Sequence, residues 1–118
     1  MVEASEAFQK HLANPNATWR HERSESMMYL ARVGGNKAWE RMWLMRAAAE
    51  CPERRETWMR WAEFEAREQN KGFAFSLALE ARDLPEDKFY LSDPKYRGDA
   101  PAKFMQAITE EYYRNLLE

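Results

Sequence analysis

One cysteine, Cys51, is all the thiol this 118-residue chain carries. It cannot close an internal disulfide, which favours a reducing compartment, and a metal centre built on one cysteine is not expected. Glycine and proline are also sparse, at four and five residues, so few points interrupt regular structure. No stretch approaches the roughly 20 apolar residues of a membrane span. The start, Met1-Val-Glu-Ala-Ser-Glu-Ala-Phe8, lacks the basic head and apolar run of a signal peptide, so a cytoplasmic protein is expected. Charge of one sign is missing too. Eighteen Lys and Arg against twenty Asp and Glu leave a net −2, and no basic run exceeds Arg54-Arg55. Such a balance provides no field to draw the chain onto nucleic acid or an anionic membrane.

Catalytic constellations are equally scarce. Gly34-Gly35 lacks the Lys-Ser/Thr of a phosphate loop, and no nucleophile elbow is present. Neither His11 nor His21 follows a Glu by three positions, and His21-Glu22 is not followed by the second His of a zinc-protease helix. With no fitting His nearby in sequence, Cys51 reads as a buried small hydrophobe rather than a nucleophile. No catalytic, cofactor-binding or metal-binding residue is assigned, no cofactor is expected, and the chain is not expected to be an enzyme.

Aromatics and helix formers are plentiful. Five Trp, six Phe and five Tyr supply a core, and Ala, Glu, Arg, Leu and Met fill the intervals, which predicts an all-α fold in a single domain over residues 1–118. The organising stretch runs from Pro52 to Pro85. Trp58, Trp61, Ala62 and Glu65 follow helical spacing, as do Ala74, Leu77, Ala78 and Ala81 after the break at Asn70-Lys71-Gly72. Two helices joined so briefly fold back antiparallel, with Trp58 and Trp61 entering the shallow holes at Ala74, Ala78 and Ala81.

The other elements are read from their stops. A first helix over about Val2 to Leu12 ends at Asn14-Pro15-Asn16, and a second over about Thr18 to Val33 ends at Gly34-Gly35. Asn36 caps a third helix, about Lys37 to Glu50, which Cys51-Pro52 ends. Its Trp39 and Trp43 point inward. A linker over about Glu86 to Gly98 carries Phe89, Tyr90, Leu91 and Tyr96, too apolar for a free loop, and packs across the second hairpin. Asp99 caps the last helix, Ala100 to about Leu117.

Met27-x-x-Leu30-Ala31 and Trp58-x-x-Trp61-Ala62 repeat one signature 31 positions apart, and Pro52 and Pro85 close each unit 33 positions apart. Trp58-x-x-Trp61-Ala62, Ala74, Ala81 and Pro85 resemble the tetratricopeptide signature, which implies a right-handed stack of antiparallel helical hairpins with about six helices. More widely, Asn14-Pro15-Asn16-Ala17-Thr18-Trp19-Arg20, Arg32, Cys51-Pro52-Glu53-Arg54-Arg55-Glu56-Thr57-Trp58, Tyr90-Leu91-Ser92-Asp93-Pro94 and Gly98-Asp99-Ala100-Pro101 resemble the tetratricopeptide-like helical region that accompanies family-2-type glycosyltransferases in bacteria and phages. The resemblance implies no catalytic residue here, because the transferase chemistry of such proteins belongs to a separate α/β domain.

In a stack of this kind the first helix of each hairpin lines a concave surface. Glu25, Met28 and Arg32 on the second helix and Met59, Glu63 and Arg67 on the fourth, in matching turns offset by the same 31 positions (Met28 to Met59, Arg32 to Glu63), are expected there as two rows, with Met105 and Thr109 extending the surface onto the last helix. Exposed methionines beside charges suit a protein or peptide partner. The expectation is a non-catalytic interaction module, with self-association through Tyr112, Tyr113, Leu116 and Leu117 as a further contact. Its alternatives are an accessory domain of a glycosyltransferase and a structural subunit of a larger assembly such as a phage particle.

Overall fold

The computed structural model describes residues 2–16, 18–87, 89 and 91–117, with side chains from Glu6 onward. These residues form six α-helices and one short 3-10 turn, and no strand occurs among them. The helices are α1 (Val2–Ala13), α2 (Arg20–Val33), α3 (Lys37–Glu50), α4 (Arg55–Arg67), α5 (Lys71–Arg82) and α6 (Ala100–Leu117), and the 3-10 turn is Pro94–Tyr96. They group into two compact units, residues 1–53 and 54–118. Among the described residues no helix is long and apolar enough to cross a membrane.

In the first unit α2 packs against both α1 and α3. Its buried arc is therefore wide: Ser24, Ser26, Met27, Met28, Leu30 and Ala31 are all covered. Phe8 of α1 stacks on Tyr29 at 4.2 Å between ring centres, and α3 contributes Trp43, Leu44, Ala47 and Ala48. The turn between α2 and α3 is tight for a specific reason. The Trp39 indole folds back over Gly34, donating from Nε1 to the Leu30 carbonyl at 2.8 Å, and a Cβ on Gly34 would lie 1.6 Å from the indole Cδ1. Asn36 caps α3 as expected, its side chain accepting from the Trp39 N–H at 2.8 Å. Cys51 ends the helix, its N–H donating to the Ala47 carbonyl at 3.1 Å.

In the second unit α4 packs on α5, and α5 on α6. Ala74, Ala78 and Ala81 are fully buried, the shallow holes read from the sequence. Ala78 and Ala81 share one buried cluster with Met59, Ala62, Leu77, Tyr96 and Met105, and Trp58 and Trp61, partly buried, pack against it. Each fully buried side chain of Met or Leu size stabilises the fold by about 1.5–3 kcal/mol. The break between α4 and α5 is closed by Glu65, buried, which accepts from Trp61 Nε1 at 3.0 Å and Asn70 Nδ2 at 2.8 Å. Gln69 there has φ +67°, a left-handed conformation that costs a residue with a Cβ.

The described residues between Leu84 and Gly98 pack on α4, as expected of this stretch, but their anchors are charged. Arg54 is fully buried: Nε donates to Asp87 at 2.6 Å, and the guanidinium lies 4.9 Å over the Phe89 ring. Arg55 donates to the carbonyls of Leu84 at 2.8 Å and Gly98 at 2.7 Å. Glu56 accepts from the Asp93 N–H and from Arg60 Nε, both at 2.8 Å. Phe89 and Tyr96 are buried beneath this clamp, whereas Leu91 is exposed and Tyr90 lies outside the described residues.

Candidate functional site

The eight residues expected to face a partner divide by chemistry. Met28, Met59 and Met105 are buried, at 1%, 2% and 8% exposure, so the adaptable apolar contacts assigned to them are absent from the surface. For Met28 the cause is that α2 lies between two helices. For Met59 it is that α4 is covered on more than one side: Leu77, Ala78 and Ala81 of α5 and Tyr96 of the following segment enclose it, with Trp58 and Trp61 packed against the same cluster. Arg32 and Arg67 are exposed, their guanidinium groups 5.5 Å over Tyr29 and 5.9 Å over Phe64. Glu25 is half-buried. Glu63 is engaged within its own unit, accepting from Lys95 Nζ at 2.7 Å and from the Tyr96 hydroxyl. Burial, then that carboxylate, raise the Tyr96 phenol above its ordinary pKa. Thr109 is exposed on α6 and donates to the Met105 carbonyl at 3.0 Å.

What does lie open is the end of α6. This helix has 18 residues and α5 has 12, so at about 1.5 Å per residue α6 outruns it by about 9 Å. Lys71, the first residue of α5, bonds Glu111 at 3.2 Å and marks where the cover stops. Before that point α6 buries Pro101 and Met105 and half-buries Phe104 and Ile108. Beyond it Tyr112, Tyr113, Leu116 and Leu117 are 61%, 60%, 63% and 89% exposed. Thr109, Tyr112, Tyr113 and Leu116 fall on one helical face. The Tyr112 and Tyr113 rings meet edge to face at 5.6 Å.

A second convergence, in the first unit, was not anticipated from spacing. The ligand atoms of His21, Cys51 and Glu53 all lie within 4.8 Å of one another. Burial pushes the Glu53 carboxyl up, but hydrogen bonds from its own N–H and the Cys51 thiol, with Arg20 and His21 nearby, leave it below the usual value. His21 lies 30 positions from Cys51, so only the hairpin brings them together; the sequence signal available was that one opens α2 and the other closes α3.

Comparison with protein-family models, with curated proteins and with solved structures gives no match. What the chain does is therefore read from its own geometry.

Proposed function

We propose that the chain is a non-catalytic interaction module of the tetratricopeptide-like kind, working in the cytoplasm, whose contact surface is the C-terminal part of α6 and whose occupant is α6 of a second copy. The observation that carries this reading is the run of four large apolar side chains, each at least 60% exposed, on a helix whose cover has stopped. Surfaces of this kind on soluble chains are contact sites more often than accidents.

A second copy fits because the face is self-complementary. About the midpoint of Tyr112 and Tyr113, an antiparallel two-fold pairing sets Thr109 of one copy against Leu116 of the other and Ile108 against Leu117. The small net charge opposes such pairing little. The patch is only about two turns long, so the dimer belongs to the weak, transient class below about 1,200 Å² of buried surface.

Sedimentation velocity from micromolar to millimolar chain tests this. A concentration-dependent monomer–dimer equilibrium is expected, lost in the double variant Tyr112→Ser, Leu116→Ser, whose circular dichroism stays unchanged. Charge reversal at Arg32 and Arg67, neither on α6, leaves it intact. A monomer at every concentration, or a dimer that survives the double variant, contradicts the reading.

A further inference from the structure

The open end of the α2–α3 hairpin collects three donors of different chemistry. His21 is the second residue of α2, Cys51 caps α3, and Glu53 follows in the next turn. We propose that these three side chains bind one zinc ion that fastens the start of α2 to the end of α3.

The donor set is the first reason. Thiolate and imidazole together select zinc among the common divalent cations, and a carboxylate oxygen is a normal third ligand. Distance is the second. With bonds of about 2.0–2.3 Å, tetrahedral donors sit about 3.3–3.7 Å apart; the three atoms here, none more than 4.8 Å from another, reach that spacing by closing about 1 Å. His21 and Glu53 are half-buried, whereas Cys51 is fully buried and its backbone is pinned to Ala47. A water fills the ion's fourth position.

Arg20 shapes the carboxylate. Its Nη2 bonds Oε1 of Glu53, which orients the group and leaves Oε2 for the metal. The guanidinium repels a cation, but the Arg20 side chain is 56% exposed and solvent screens that charge. Binding is a simple exchange: the Cys51 thiol gives its proton to water, the sulfur lone pair forms the bond to zinc, and nothing is oxidised or reduced. The location explains the use. The far end of this hairpin is closed by a three-residue turn, residues 34–36, while the near end has no covalent tie in a chain with one cysteine.

Cobalt(II), a spectroscopic substitute for zinc, tests the assignment on the full chain. Because Cys51 is the sole thiol, any thiolate-to-cobalt charge-transfer absorption reports on it. The expected result is one equivalent bound with that absorption, displaced by zinc, absent in Cys51→Ser and at least tenfold weaker in both His21→Ala and Glu53→Ala. Zinc also raises the melting temperature of the natural chain and not of His21→Ala, a second readout should Cys51→Ser fold poorly. No charge-transfer absorption, or equal affinity in the His21 and Glu53 variants, which marks adventitious binding to a lone thiol, overturns the proposal.

Discussion

At the scale of single residues the fold turns on a few positions whose neighbours leave no alternative. Gly34 is one: a methyl group there meets the Trp39 indole, which must swing away and give up its bond to the Leu30 carbonyl. Gly34→Ala should cost about 1–3 kcal/mol in chemical denaturation, as other overpacking substitutions do. Arg54 is another. With its side chain fully buried between Asp87 and Glu56, truncation to Ala leaves buried carboxylates without their cation and should cost about 3–5 kcal/mol. Asp87 supplies the pH signature of the same clamp. Burial raises its pKa, but the bonds from Arg54 and from the Phe89 N–H outweigh burial and hold it below the ordinary 3.8. A depressed carboxyl stabilises the fold in full above its unfolded value and loses that contribution as pH falls through the folded one. Denaturation midpoints should therefore decline from about pH 4 downward, and the decline should be shallower in Asp87→Asn. An equal slope in both chains would remove Asp87 from the account.

At the scale of elements, Ala78 measures how closely α4 and α5 approach. It is fully buried, and Ala78→Trp should destabilise by about 1–3 kcal/mol; an unchanged melting transition would mean that the helices do not meet there. The helices themselves were legible, because their stops are local: Asn14-Pro15, Gly34-Gly35, Cys51-Pro52 and Asn70 stand where the chain breaks. Which face each helix buries was less legible. Trp58 and Met59 are both apolar and one step apart, so periodicity alone does not choose between them, and the segment that covers the other side of α4 arrives from 84–98. Nothing next to Arg54, Arg55 and Glu56 in sequence marks them as buried anchors. Their partners, Asp87, Leu84, Asp93 and Gly98, lie about 30 to 40 positions away, and no local rule reports them. Tyr112, Tyr113, Leu116 and Leu117 were named from the sequence as a self-association contact, and the structure leaves all four exposed.

At the scale of the molecule, two helical units are joined in a chain with almost no net charge, and the second of them ends in an uncovered helix. The central claim is that this end is covered by another copy. Amide hydrogen exchange, followed residue by residue at low and high chain concentration, tests it most directly, because the last turns of an uncovered helix fray and exchange fast. The account predicts that amides 112–117 become more protected as concentration rises, that amides of α3 do not, and that Leu116→Ser removes the difference. Exchange at 112–117 that is the same at every concentration would contradict it.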